Sequence, residues 1–131
     1  MRTFCLDTSV VSDFLKGRPY VRAYLDELPI ESTVVIPTIV RFEAYVWALR
    51  HARKDVTLQR TAYVLDAFER IGFREPQARE AAEIRTTLLD EGRVIGAPDV
   101  LIAGVARSIG ATVVTRDDHF DRIPHLDIDL L

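Results

Sequence analysis

The sequence predicts an α/β fold in which a parallel sheet of about five strands is covered by helices on both faces. Three observations predict it. β-prone runs alternate with runs of helical periodicity along the chain. The strand runs are continuously apolar and do not alternate with polar residues, as expected for strands buried on both faces. Pro98–Ile109 is apolar nearly all round, which a helix tolerates only when packed between other layers.

Taken in order, Thr3-Phe4-Cys5-Leu6 is a β-prone run that stops at Asp7-Thr8-Ser9, residue types that favour turns and helix N-caps. Val10, Val11, Phe14 and Leu15 then fall at helical spacing, up to Lys16 and Gly17. Pro19 opens a second helix, with Val21, Tyr24, Leu25 and Leu28 on one face, that ends at Pro29. Thr33–Ile36 is the second strand, closed by Pro37. Long helices are predicted over Thr38–Arg53, Thr57–Arg70 and Gln77–Leu89, the last ended by Gly92. Ile71–Arg74 predicts a short third strand. After the buried helix, Ala111–Thr115 is a β-branched fourth strand and Leu126–Leu131 a short final one. No repeat, low-complexity tract or linker interrupts the 131 residues (14.9 kDa), a length that suits one domain over 1–131.

Composition narrows the function classes. With 48% hydrophobic and 28% charged residues the chain is neither disordered nor fibrous. No apolar window approaches the length of a membrane span, and an acid at position 7 comes too early for a signal-peptide core. Cys5 is the only cysteine, so no internal disulfide or cysteine-based zinc cluster can form. A cytoplasmic protein is expected. The net charge of −3 does not suggest nucleic-acid binding through bulk charge. All bases except Lys16 and Lys54 are arginine, however. Arg41, Arg50, Arg53, Lys54 and Arg60 outnumber Glu43 and Asp55 locally, so any polyanion contact has to be local.

In open parallel sheets, function gathers beyond the carboxyl ends of the strands near the topological switch point. The residues there are acidic. Asp7 follows the first strand, Asp117-Asp118 follow the fourth, and Asp99 begins the buried helix. Glu43 has Ile39, Val40, Val46 and Trp47 as its helical neighbours, on a face where an unpaired carboxylate is costly. Each acid has an ordinary reading: Asp7 as a helix cap, Asp99 as a first-turn acid, Asp117 and Asp118 as a solvated run. Together they point elsewhere. Two carboxylates about 4 Å apart repel by roughly 4 kcal/mol at an effective dielectric near 20, so several at one rim need protons, arginines or a divalent cation. A hard cation with oxygen ligands is the natural partner. It activates water and neutralises charge on phosphoryl oxygens, chemistry suited to phosphodiester hydrolysis. His119 reads as a packed or surface residue, and Cys5 as a small core residue.

Asp7-Thr8-Ser9, Glu43 within Pro37–Glu43, Asp99–Ala103, and Thr115-Arg116-Asp117-Asp118-His119-Phe120 together resemble the four acidic motifs of PIN-domain ribonucleases, nearest the VapC-type toxins of prokaryotic toxin–antitoxin modules. The likeness spans essentially the whole chain. It implies a three-layer sandwich with strand order 3-2-1-4-5, and an endoribonuclease restrained by a VapB-like antitoxin. Asp7, Glu43, Asp99 and Asp117 would be catalytic and hold Mg²⁺ or Mn²⁺, with Asp118 the alternative to Asp117. Thr8, Ser9 and Thr115 match supporting hydroxyl positions. Arg41, Arg50 and Arg53 are candidates for RNA-phosphate contacts or for the polar side of their helix. Family likeness and the aromatic residues Tyr45 and Trp47 suggest a homodimer. A phospho-receiver module is a poorer match, because the third strand does not end on an aspartate and no lysine follows Lys54. A catalytically inactive PIN scaffold would not need all four acids.

Overall fold

The computed structural model describes residues 2–131, which form five strands, six α-helices and a short 3-10 helix. In β1 (Thr3–Leu6), Phe4, Cys5 and Leu6 are all buried, so the strand has no solvent face and takes the centre of the sheet. It pairs in parallel with β2 (Thr33–Pro37) on one side and β4 (Thr112–Thr115) on the other. β3 (Glu69–Ile71) extends the first side and β5 (Ile128–Leu130) the second, giving the order 3-2-1-4-5 with every pairing parallel. Chain order reverses at β1, so the crevice beyond the carboxyl ends of β1 and β4 is the switch point. Register fixes what emerges there. Leu6 pairs with Val114, and the Asp7 N–H donates to the Val114 carbonyl at 3.1 Å, so Asp7 and Thr115 leave the sheet side by side.

The helices are α1 (Thr8–Leu15), α2 (Pro19–Asp26), α3 (Thr38–Leu49), α4 (Lys54–Leu65), α5 (Glu75–Asp90) and α6 (Ala97–Ser108). Val10 and Val11 of α1, Val40 of α3, Ile84 and Leu88 of α5 and Ile102, Ala103 and Ala106 of α6 form one core with the sheet residues. As its all-round apolarity requires, α6 is buried from Ile102 through Ala106. Gly104 makes that packing close. A Cβ built there would lie 2.7 Å from the Ala81 Cβ and 2.8 Å from its backbone nitrogen. Gly104→Ala should therefore lower stability by about 1–3 kcal/mol, read as a lower urea midpoint at unchanged slope. An unchanged midpoint would mean that α5 can back away freely.

Several boundaries differ from the sequence expectation, most of all around α3, α4 and β3. α3 stops at Leu49, not Arg53, and the chain turns so that α4 starts at Lys54. There the Arg53 N–H donates to His51 Nδ1 at 3.2 Å. α4 ends at Leu65, not Arg70, and the third strand is Glu69–Ile71, not Ile71–Arg74. Arg41 stands at that early end. Its Nη2 donates to the carbonyls of Leu65 (2.9 Å) and Phe68 (3.1 Å), and its Nε to that of Ile36 (3.1 Å). Carbonyls at and just beyond the helix end, which the helix itself cannot satisfy, thus find a cationic donor.

This corrects one expectation for Arg41. The residue is only 3% exposed, and burial pulls its pKa down from the ordinary value. A guanidinium committed to three main-chain carbonyls inside the fold is not available to RNA phosphates.

Candidate metal centre at the carboxyl end of the sheet

Asp7 leaves β1 in extended conformation as the N-cap of α1, and its carboxylate is used on both oxygens. Oδ1 accepts from the Val10 N–H at 3.0 Å and from Ser9 Oγ at 2.7 Å, and Oδ2 accepts from Thr115 Oγ1 at 2.5 Å. The helix-cap reading therefore holds for Oδ1, while Oδ2 is bound to Thr115 at the end of β4. The hydroxyls are themselves oriented. The Asp117 N–H donates to Thr115 Oγ1 at 2.9 Å and the Arg116 N–H to Ser9 Oγ at 3.2 Å, so the chain leaving β4 occupies their lone pairs and turns their protons toward Asp7. Asp7 is 1% exposed. Burial raises its pKa above the ordinary carboxyl value, and the Asp117 charge adds to the rise. The bonds from Thr115, Ser9 and Val10 oppose it without cancelling it. A buried acid beside another acid is the electrostatic problem that a cation solves.

Glu43 is held through the next residue along. Thr8 Oγ1 donates to Glu43 Oε1 at 2.6 Å, which ties α3 to the start of α1 and orients the carboxylate; Glu43 and Asp7 stand outside the group formed by Asp99, Asp117 and His119. On the other side of the crevice, the first turn of α6 brings Asp99 toward the segment after β4. Asp99, Asp117 and His119 each offer a ligand atom within 4.8 Å of the other two, a spacing that one metal ion can bridge. Asp118 opens the 3-10 helix Asp118–Arg122, is exposed, and stands outside that group.

His119, read from the sequence as a packed or surface residue, is half-buried against Phe120 and also stands in this group. Its Nε2 lies 2.8 Å from Asp99 Oδ2. Its position two residues after Asp117 was the available signal, but the partner stands twenty residues earlier and only the fold joins them. Arg50 and Arg53 are exposed. Arg50 stands about 10 Å of helix rise beyond Glu43, so neither is beside the acids. The base nearest in sequence to the acids is Arg116, whose guanidinium lies over the Tyr20 ring at 5.1 Å and near Asp13. Cys5 is buried, and burial, with the nearby Asp7 charge, pushes its thiol up to about 12, so it offers no nucleophile. The exposed apolar side chains of α3 are Phe42, Val46 and Leu49, one stripe at helical spacing; Tyr45 and Trp47 are half-buried.

A parallel sheet in this order, with carboxylates gathered at its switch point, defines the class: an α/β protein with an acidic centre suited to a divalent ion. Comparison with known proteins specifies it. The PIN domain family matches residues 4–126. The chain is 33% identical over 117 residues to Ribonuclease VapC5 of Mycobacterium tuberculosis, covering 88% of this chain and 83% of that protein. It is also 33% identical over 119 residues to Toxin FitB of Neisseria gonorrhoeae, covering 86% of each. Its backbone matches the crystal structure of VapBC2 from Rickettsia felis bound to a promoter DNA fragment with a TM-score of 0.92, at 27% identity over 98% of both chains. The chain belongs to the PIN domain family.

Proposed function

We propose that this PIN domain, one unit over 1–131, is a metal-dependent endoribonuclease and the toxin of a type II toxin–antitoxin pair. Asp7, Glu43, Asp99 and Asp117 hold Mg²⁺ or Mn²⁺. The observation that supports the reading is the Asp99–Asp117–His119 group at the carboxyl end of the sheet, with Asp7 buried beside Asp117 and Glu43 held by Thr8, in a chain whose relatives are named ribonucleases and toxins. When bound, the ion supplies charge neutralisation at the scissile phosphate and acidifies water. The protein's own share is preorganisation. Ser9, Val10 and Thr115 fix both oxygens of Asp7, and Thr8 holds Glu43. Arg50 and Arg53 remain as candidates to meet RNA phosphates away from the acids.

The partners follow the same reading. The VapBC and FitAB neighbours are toxin–antitoxin complexes, which supports a VapB-like antitoxin here. A cavity of about 540 Å³ has Leu15, Trp47 and Val64 with the polar His51, Gln59 and Arg60 in its lining, and shares Tyr63 and Val64 with a second one lined by Phe14, Leu25 and Phe68 with Arg22 and Asp26. These neighbouring cavities suit an antitoxin segment that is apolar with flanking polar or charged residues. The Phe42–Val46–Leu49 stripe supports a homodimer. Among the described residues no helix is long and apolar enough to cross a membrane, and the place of action proposed is the cytoplasm.

The test is cleavage of a mixed RNA pool with Mg²⁺ or Mn²⁺, and with EDTA. Cleavage should require the metal. Asp117→Asn should lose at least about tenfold to a hundredfold, the range already lost when mere supports of a metal ligand are removed, while Asp118→Asn stays near wild type. Cleavage that survives EDTA would overturn the metal reading. The reverse ranking of the two variants would move the fourth ligand to Asp118.

A further inference from the structure

We infer that His119 gives the metal centre a nitrogen donor and thereby makes it a Mn²⁺ site in preference to Mg²⁺. The inference rests on the metal-centre reading above and extends it to a residue outside the four acids. His119 Nε2 lies 2.8 Å from Asp99 Oδ2, and both lie within 4.8 Å of an Asp117 oxygen. Around an octahedral ion with bonds of about 2.1 Å, adjacent ligand atoms stand about 3 Å apart and opposite ones about 4.2 Å, so the 2.8 Å between His119 and Asp99 is an adjacent-ligand spacing, and a sub-ångström shift at most brings the Asp117 oxygen into the same sphere.

The imidazole is held in place and is reachable. Its ring stacks on Phe120, with centroids 5.0 Å apart and planes 25° from parallel, and Phe120 is fully buried. The side chain keeps 31% of its surface open, so an ion can reach it from solvent. The other two histidines have different surroundings. His51 lies against Trp47 and accepts the Arg53 N–H, and His125 sits in a left-handed turn, bordering a shallow surface shared with Arg107.

A nitrogen donor changes the ranking of ions. Mg²⁺ takes oxygen ligands and gives up its waters reluctantly, whereas Mn²⁺ accepts carboxylates and also stands on the transition-metal affinity series for nitrogen-containing sites. The competing arrangement is His119 as a hydrogen-bond donor that orients Asp99 from outside the coordination sphere. Direct observation of the ligand atom separates the two.

The experiment is pulsed electron paramagnetic resonance on the tag-free, full-length protein with substoichiometric Mn²⁺, paired with Mn²⁺ and Mg²⁺ titrations of wild type, His119→Gln and Asp117→Asn. Histidine-nitrogen modulation is expected on wild-type Mn²⁺ and is expected to vanish in His119→Gln. That variant should bind Mn²⁺ about tenfold more weakly, with Mg²⁺ affinity changed by less than about twofold. Mn²⁺ that binds, and is weakened by Asp117→Asn, yet shows no nitrogen modulation in wild type would overturn the inference and leave the acidic centre standing. Absence of Mn²⁺ binding would overturn both. The wild-type spectrum decides without any variant, so a folding defect in His119→Gln does not obscure the result.

Discussion

Asp7→Asn should abolish metal-dependent RNA cleavage and, in the absence of metal, make the protein more stable than wild type. The two effects have one cause. Asp7 is buried beside Asp117, and its pKa in the folded protein is raised above the ordinary value near 3.8. The folded state therefore holds that proton more tightly than the unfolded chain does. Stability linked to Asp7 is fully present below the ordinary value and is lost as pH rises from there through the raised one. Asparagine removes the charge and keeps the shape. Its carbonyl can accept from Ser9 and Val10, and its amide can donate to the Thr115 hydroxyl.

Thermal melts in EDTA should show Asp7→Asn ahead of wild type near neutral pH, with the gap closing as pH falls toward 4. Saturating Mn²⁺ should reverse the order, because an ion bound to the folded wild type alone stabilises it by mass action. Cleavage should fall by at least about a hundredfold. A variant that is less stable than wild type in EDTA at neutral pH would mean that the charge is already well compensated and that the crevice has no need of a cation.

Arg41→Met should be the most damaging change away from the acids, costing about 2–4 kcal/mol and lowering the melting temperature by roughly 10 °C. Methionine fills the space of the side-chain stem but leaves the carbonyls of Ile36, Leu65 and Phe68 without this donor, in the region where α4 gives way to β3. Lysine is no rescue, because a point-like ammonium cannot present the guanidinium fork to three acceptors. A phosphate contact would behave differently. It would leave the melting temperature alone and reduce the salt dependence of RNA binding by about 0.7 in the log–log slope. Denaturation curves together with binding of a non-cleaved RNA at two salt concentrations distinguish the roles.

The contrast between Arg41 and the acids shows what was legible in the sequence. β1, β2 and β4 announce themselves because they are apolar throughout, and α6 because no face of it is polar. The parallel architecture followed from those patterns, while the strand order came from family resemblance. β3 was misplaced because Glu69 and Arg70 are exposed on an edge strand, where no apolar signal is required. Arg41 looked like a polar helix residue because its acceptors, Leu65 and Phe68, stand 24 and 27 residues away and are main-chain atoms that no side-chain pattern reports.

At the site, the acids were visible as residue types and their grouping as a consequence of topology. The linking bonds were not. Thr115 reaches Asp7 across 108 residues and His119 reaches Asp99 across 20, distances over which a single sequence carries no pairing information. The sequence could not separate a helix cap from a site acid at Asp7, because only three-dimensional geometry shows that Oδ1 caps α1 while Oδ2 meets Thr115.

The most direct measurement of the centre is an anomalous difference map from crystals of the full-length protein soaked in Mn²⁺. The expected result is a peak in the crevice beyond β1 and β4, within bonding distance of Asp99 and Asp117 and facing Asp7 and Glu43. A map with no peak there, or with Mn²⁺ only at unrelated surface carboxylates, would contradict the assignment of these residues to a metal centre.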